Sequence, residues 1–502
     1  MKVLFINPGV RKETQHPLLN SMVFTSPPLG LGYIAAYLRQ QHKDIDLKII
    51  DEAVTFLSDE MLENEICKGT KPMIVGISCL TATFSRAKEI AGKIKARRKD
   101  ITVIFGGVHS TALPEECLMT GYVDIVVRHE GEVTMSEIYE SILRGKQVDD
   151  IKGISYIKEG KYYQTSDRPP INLDILPRFP YEFFDKNMKS YSDFGLLVTS
   201  RGCPFDCIFC SNRLVTGRTY RAFSSDTVIN QIDTLVNKYE QKSIFFADDN
   251  FVSDKERFFD LLDSIMQRDL HKKAFFIAQL RADEMSDEIL EPMRKANFKM
   301  LSCGIETASE RLLELISKRE SIEEVKKGIR LAKSKGFLTN ATFIYGLPSE
   351  TKEDRKLSAR LSRELPLDSA RFNIATPYPG TRLNEIAKNE NRLIIANDWK
   401  NFNVQYYMFG NDIPYVPKST GKFTLMFDTM WANLRFYLRF KVLLTTLMKM
   451  DLTGGGVISF QNKKSKLALY WNAARIAFFV AARFIYLRIR SLMENLASYP
   501  KK

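Results

Sequence analysis

Residues 1–150 alternate short, β-branched apolar runs with longer amphipathic segments. The runs at 2–7, 47–51, 73–78, 101–105 and 124–127 read as buried strands, and helical spacing fills 31–41 and 85–97. Such alternation predicts a parallel sheet with helices on both faces. Ligands of such sheets sit at the carboxyl ends of the strands. Three stretches fall there: Ser26-Pro27-Pro28-Leu29-Gly30-Leu31-Gly32-Tyr33, Gly76-Ile77-Ser78-Cys79-Leu80-Thr81, and Gly106-Gly107-Val108-His109-Ser110. Taken singly, glycines at strand–helix turns commonly serve only the turn.

The pattern then changes. Residues 151–195 read as a connector, with a small hairpin over 153–159 and 161–164 and a proline-rich stretch at 168–180 expected to wrap the surface in extended form. Alternation returns at 196–390. Strands are expected at 195–199, 243–247, 274–280, 301–305, 341–345 and 371–376, with helices such as 225–239, 255–268 and 322–335 between them. Six such units suggest an open (β/α)6 barrel with chemistry at the strand C-termini. Residues 391–502 read as an α-helical region: an irregular cap at 398–409, helical patterns at 423–448 and 466–493, and a Gly454-Gly455-Gly456 hinge between them. The expected division is therefore 1–150, 151–195, 196–390 and 391–502.

Charge changes the picture at one end. The chain of 502 residues carries a formal net charge of +13. Residues 415–502 hold 15 Lys and Arg against 3 Asp and Glu, a balance of +12. In that tail the charges are interleaved with Phe, Tyr, Trp and Leu. Arg475, Arg483, Arg488 and Arg490 punctuate an apolar helix, which suits a helix lying in a bilayer interface. The same pattern also fits a core helix with a basic rim. A nucleic-acid arm would not need so much aliphatic surface. The start of the chain has too short an apolar run for a secretory signal, and no run of 18 uncharged apolar residues is found. Cys67, Cys79, Cys117 and Cys303 are scattered, which argues for a reducing cytoplasm.

The remaining cysteines carry the chemistry. Cys203-x-x-x-Cys207-x-x-Cys210 puts three thiolates on one short loop. Three thiolates can hold three irons of a [4Fe–4S] cluster and leave the fourth open to substrate. A zinc knuckle or a coincidence of buried cysteines are the alternatives, but zinc wants four ligands and no fourth Cys or His lies close in sequence.

With Phe209 before the third cysteine, this loop resembles the signature of the radical S-adenosylmethionine (SAM) enzymes. The resemblance implies that the open iron chelates SAM, that an electron from the cluster cleaves it to a 5′-deoxyadenosyl radical, and that Phe209 packs near the adenine. It extends over 196–390. Asp248-Asp249-Asn250 follows the second strand, where the family meets the SAM amino group. A helix N-cap is the plain alternative. Arg281 is placed to reach the SAM carboxylate, with a salt bridge to Asp283 as its rival. Glu306 matches the position that meets the ribose hydroxyls. Ile344 and Gly346 lie in the stretch beside the adenine, with a helix cap as the plain alternative for Glu350 there. Tyr378, in Thr376-Pro377-Tyr378-Pro379-Gly380, is placed near substrate or in a rigid proline turn.

The first 150 residues resemble a cobalamin-binding Rossmann domain, with Ser78, Leu80, Gly106 and Gly107 lining the slot for the nucleotide tail. The stretch 106–116 followed by Arg128-His129-Glu130-Gly131-Glu132 looks like many cobalamin-dependent radical SAM proteins. The D-x-H-x-x-G motif of domains that supply an axial histidine is absent. The nearest match, Asp269-Leu270-His271 with Ala274, lacks the glycine. The cobalt is therefore expected to receive no protein histidine, and His109 is expected to touch the tail or solvent.

The fold expected is α/β: an N-terminal Rossmann-like cobalamin domain, an open (β/α)6 radical SAM partial barrel, and a basic helical C-terminal region. The cofactors implied are a [4Fe–4S] cluster, SAM and cobalamin. The commonest reaction of this class is methylation of an unactivated carbon, here on a lipophilic lipid, isoprenoid or pigment. Non-methylating oxidation or cyclisation, as in an anaerobic magnesium-porphyrin ester cyclase, is the alternative. A redox-sensing iron–sulfur scaffold is the non-enzyme alternative. The expected partners are the small-molecule substrate, an electron donor such as flavodoxin or ferredoxin, and an anionic membrane surface, with no nucleic acid. The expected location is the cytoplasm, peripheral on the membrane face.

Overall fold

The computed structural model describes residues 1–9, 25–67, 73–396, 398–403, 412–439 and 466–497. They fall into two compact units. The first comprises the described residues up to Pro204 together with Ser211–Thr227; the second comprises Phe205–Cys210 and the described residues from Val228 onward.

The first unit is built on seven strands: β1 (Lys2–Asn7), β2 (Asp46–Asp51), β3 (Met73–Ser78), β4 (Thr102–Gly106), β5 (Ile125–Val127), β6 (Ile154–Lys158) and β7 (Lys161–Gln164). Their order is β2-β1-β3-β4-β5-β6-β7. The first five are parallel, and the hairpin β6–β7 continues the sheet antiparallel from β5. Val3, Leu4, Phe5 and Ile6 are all buried, as a strand covered on both faces requires. Helices Leu29–Gln41 and Glu132–Leu143 bring Leu31, Ala35, Leu38, Met135 and Ile138 onto one face. Helix Phe84–Arg97 buries Ile90, Ala91 and Ile94. Fully burying each large aliphatic side chain contributes roughly 1.5–3 kcal/mol. The reversal of strand order at β1/β3 opens a crevice at their carboxyl ends, where open α/β sheets bind ligands.

The hairpin therefore belongs to the first sheet rather than to a free connector. The proline-rich stretch is anchored by its apolar side chains. Leu176, Phe179 and Tyr181 are buried, and the Phe179 ring stacks on Phe184 and meets Tyr33 and Tyr181 edge-on. The stretch runs along the surface, with Pro169, Pro170, Ile175 and Arg178 exposed, and its aromatic and aliphatic side chains anchor it inward.

The strand expected at 195–199 is reduced to β8 (Leu196–Leu197). Past it, the chain turns into an antiparallel pair, β9 (Ser200–Arg201) with β10 (Arg221–Ala222), and Thr199 accepts a backbone bond from Phe223.

In the second unit β11 (Ser243–Phe246), β12 (Phe275–Gln279), β13 (Phe298–Glu306), β14 (Leu338–Tyr345) and β15 (Ser369–Ile374) lie side by side in that order, all parallel. Burial alternates along β14. Tyr345 faces helix Lys352–Glu364 and donates to the Arg355 carbonyl at 2.8 Å, so Asn340, Thr342 and Ile344 face the other, concave side. Capping boxes at Ser321/Glu324 and Thr351/Asp354 start the helices Ile322–Ser334 and Lys352–Glu364.

The edge strand β15 is covered by helix Lys422–Tyr437. The Asn433 side chain accepts from the Phe372 N–H (3.0 Å) and donates to the Phe372 carbonyl (2.9 Å), standing in for a further strand. Helix Lys466–Ala497 packs on that helix in turn, with Leu487 and Ser491 buried between them. Glu494 accepts from the Thr424 N–H (2.9 Å) and hydroxyl (3.0 Å) and so caps the neighbouring helix. The helical pattern expected from 440 to 448 and the Gly454-Gly455-Gly456 hinge lie outside the described residues. Among the described residues, no helix is long and apolar enough to cross a membrane.

Candidate active site

The cysteine loop, residues 202–220, leaves and returns at the β9–β10 pair. Gly202 has φ +87°, and a Cβ there would lie 2.2 Å from the Thr219 carbonyl oxygen, so only glycine fits. Further on, the Ile208 N–H donates to the Ile316 carbonyl (3.2 Å) and the Ile208 carbonyl accepts from Leu383 (2.9 Å). These bonds hold the centre of the motif. The Cys210 N–H closes a turn on the Cys207 carbonyl at 3.1 Å, with Phe209 half-buried between them.

Cys203, Cys207 and Cys210 form no disulfide and are half-buried. Burial pushes the Cys207 thiol up to about 11, with the Lys318 ammonium opposing and Glu306 reinforcing the shift. A thiolate in such a place needs cationic compensation, and metal coordination supplies it. Among the described residues no three Cys, His, Asp or Glu side chains converge on one ion. Thiolates of an iron–sulfur cluster each take a different iron and need not converge. The donor set therefore fits the cluster.

The strand ends carry the other candidates. After β11, Asp249 is half-buried, while the buried Asn250 amide donates to Glu284 at 2.8 Å. After β12, Arg281 forks Asp283 at 3.0 and 2.9 Å and donates to the carbonyls of Lys318 (2.9 Å) and Arg319 (3.1 Å). The salt bridge with Asp283 is thus present, and Glu320 Oε1 lies 3.2 Å from Nη2 as well. At the end of β13, Glu306 is buried at φ +65°. Its carboxylate curls over Gly304, where a Cβ would lie 1.9 Å from Glu306 Oε1. Burial raises the Glu306 carboxyl, with Lys318 opposing.

Ile344 is half-buried on the concave side of β14. Gly346 has a packing duty: at φ +83°, a Cβ there would meet Leu425 Cδ2 at 2.8 Å, and its N–H donates to Glu350 at 2.6 Å. Glu350 is no helix cap; Thr351 caps, and Glu350 lies buried beside Arg355. Tyr378 is half-buried in a turn closed by Thr381, whose N–H and hydroxyl both donate to the Tyr378 carbonyl.

Lys318 was not singled out in the sequence. It is buried and pairs with Glu320 at 3.4 Å, and its charge is felt by Cys207 and Glu306. A lysine is almost never buried without carboxylate partners. Its place in Lys318-Arg319-Glu320, on a turn after helix Glu310–Leu315, looks like an ordinary solvated charge run in one dimension.

At the ligand edge of the first unit, Ser78 and Gly106 are register partners on β3 and β4, and the Cys79 N–H donates to the Gly106 carbonyl at 2.7 Å. Gly107 (φ +111°) would place a Cβ 3.0 Å from the Cys79 carbonyl oxygen. Leu80 is exposed beside them. A Cβ at Gly30 would meet nothing within 4 Å, whereas one at Gly32 would strike the Phe179 ring at 2.1 Å. Gly32 therefore serves packing, and Gly30 leaves open space at the start of its helix. Two glycines, a hydroxyl and an exposed apolar side chain at one strand-end crevice fit the tail of a cobalamin. His109 departs from expectation. It is fully buried against the Phe84 ring (4.5 Å), and burial lowers its pKa to about 4.

The motif Arg128–Glu132 acts on the cysteine loop. Arg201 Nη1 donates to Glu130 (2.9 Å) and Nη2 to Glu132 (2.7 Å). Arg221 forks Glu130 at 2.9 and 3.1 Å. Arg201 and Arg221 are ladder partners, so both stems of the loop are tied to one carboxylate. Glu130 also accepts from the Ile171 N–H at 3.0 Å.

Comparison with known proteins finds two domain families on the chain. Residues 197–361 match the Radical SAM superfamily, and residues 15–139 match the B12 binding domain. An uncharacterized methyltransferase of Pyrococcus horikoshii is 35% identical over 412 residues, covering 80% of this chain and 86% of the relative. The anaerobic magnesium-protoporphyrin IX monomethyl ester cyclase of Rubrivivax gelatinosus is 30% identical over 389 residues, covering 76% and 68%. A solved cobalamin-dependent S-adenosylmethionine radical enzyme with aqua-cobalamin bound shares the fold, with TM-score 0.70 and 18% identity, covering 97% and 72%.

Proposed function

The chain belongs to the radical SAM superfamily and carries its B12-binding domain, and on that premise we propose that it methylates an unactivated carbon of a lipophilic small molecule, a lipid, isoprenoid or pigment. The cofactors supply the radical and the methyl group. The chain supplies binding and placement.

In this reading Cys203, Cys207 and Cys210 hold three irons. The buried Lys318 ammonium, with the Arg281 guanidinium, meets the SAM carboxylate. Asp249 accepts from the SAM ammonium, and Asn250, fixed on Glu284, positions it. Glu306 accepts from the ribose hydroxyls. Ile344 and Phe209 give the adenine apolar surface. Gly346 shapes the turn below. Ser78, Leu80, Gly106 and Gly107 take the cobalamin tail. His109, turned into the core, is no ligand for cobalt. Tyr378 stands at the rim, toward substrate. A small iron–sulfur or flavin protein, of ferredoxin or flavodoxin type, supplies electrons at the cytoplasmic membrane face.

The observation that carries the reading is Cys207 of the cysteine motif set beside buried Lys318 and Glu306. The experiment is anaerobic reconstitution with iron, sulfide and cobalamin, then reduction with SAM bearing a labelled methyl group in the presence of a lipid extract. Label in a lipid-soluble product together with 5′-deoxyadenosine supports it; 5′-deoxyadenosine with an unlabelled, oxidised product would favour the second reading. That second reading, oxidation or cyclisation, is supported by the cyclase relative.

A further inference from the structure

We propose that the second half of helix Lys466–Ala497 is a fixed docking blade for an anionic bilayer, with Ile485, Ile489, Leu492, Met493 and Leu496 entering the interface. The inference deepens the lipophilic-substrate reading by naming the surface from which such a substrate comes. Its test needs neither substrate nor cofactor.

The five side chains are 45% to 73% exposed. Their spacing of four, three, one and three residues places them within a sector of about 100° on a 3.6-residue helix. From Ile485 to Leu496 the stripe runs about 16 Å. The opposite sector is already used. Leu487 and Ser491 are buried, the Phe484 ring packs on Phe427 (5.0 Å) and Trp431 (5.6 Å), and Glu494 caps helix Lys422–Tyr437. The helix cannot roll to hide the stripe without breaking these contacts.

Charge selects the occupant. Arg488 and Arg490 are both exposed and lie on opposite borders of the stripe. Arg488 lies over the Phe427 ring (5.0 Å) and Arg490 over the Phe423 ring (4.4 Å), so both heads are held at the flanks. Glu494, the acid among the described side chains of this helix, is turned inward to its cap. An apolar sector with cationic borders and no outward acid is the pattern of a helix lying in a headgroup layer. The balance of +12 over residues 415–502 makes an anionic leaflet the complementary surface.

The test is co-sedimentation of full-length protein with phosphatidylglycerol-containing and with pure phosphatidylcholine vesicles, at low and high salt, alongside light scattering for oligomeric state. Wild type should partition at least about ten-fold better to the anionic vesicles, and salt should weaken that. The double variant Ile489→Asp/Leu492→Asp changes exposed positions, so it should melt like wild type yet lose vesicle binding. Binding to neither vesicle, equal binding by the double variant, or a stable dimer that the double variant dissociates would each overturn the proposal. The last would assign the stripe to a second copy. None of these results bears on methyl transfer, which the labelled-SAM experiment tests separately.

Discussion

Exchanging Glu130 for glutamine should loosen both stems of the cysteine loop at once. Each Glu130 oxygen accepts two bonds: Oε1 from Arg201 and Arg221, Oε2 from Arg221 and the Ile171 N–H. Glutamine keeps one oxygen and turns the other into a donor, so two accepted bonds are lost and donor faces donor. The carboxylate and both arginines are largely buried. Removing one partner of a buried ion pair costs about 3–5 kcal/mol. For a unit of 150–250 residues, each kcal/mol lowers the Tm by about 2–4 °C. The expected fall is thus about 6–20 °C. Glu182→Gln, which breaks the exposed pair with Arg39, is the control and should cost under about 1 kcal/mol. Hydrogen exchange should accelerate at 200–201 and 221–222 while β3 and β4 keep their protection. A Glu130→Gln protein melting within about 1 °C of wild type, with unchanged exchange at those amides, would falsify the brace.

Three further outcomes follow from individual contacts. Gly304→Ala places a methyl on the Glu306 carboxylate. The far end of that side chain can swing away, so stability should hold while SAM affinity falls about 10–100-fold by calorimetry, the loss expected from hydrogen bonds to a charged group; unchanged affinity would remove Glu306 from the ribose site. Burial pushes the Glu350 carboxyl from its ordinary 4.5 up to about 8, against the Gly346 N–H and Arg355. The folded state therefore holds that proton more tightly than the unfolded chain. Its stabilisation is complete below about 4.5 and is lost as pH rises toward 8, so Glu350→Gln should flatten the decline of Tm across that window. Gly107→Val should distort the β3–β4 loop as well as fill the slot, since its φ is +111° and the Cys79 carbonyl lies 3.0 Å from the new Cβ. Cobalamin binding should vanish; binding at wild-type strength would place the cofactor elsewhere.

The strands were largely readable because parallel strands buried on both faces must be short, β-branched and apolar. Met73–Ser78 matches its expected bounds, and most of the others fall within a few residues. The cysteine loop was readable because cluster spacing is local. What was lost depended on the third dimension. Nothing in 153–164 says that its hairpin joins the first sheet. Gly346 and Gly32 look like ligand-approach glycines until Leu425 and Phe179 are seen packed on them. Lys318 reads as a surface charge until the fold buries it beside Cys207 and Glu306. His109 follows a glycine turn that in sequence points to the loop surface, yet its ring goes into the core. The tail offered an interfacial helix or a core helix. The described half has one face packed and the other exposed, a division that composition alone does not reveal.

The most direct test of methyl transfer is the mass of the product. Anaerobically reconstituted enzyme, reduced with SAM carrying a trideuteromethyl group and offered a lipid extract from its own source, should yield 5′-deoxyadenosine and a product heavier by about 17 Da, the label of one transferred group. The Cys207→Ala protein should yield neither. A product lighter by about 2 Da or heavier by about 16 Da without deuterium, or the labelled product from the Cys207→Ala protein, would contradict the account.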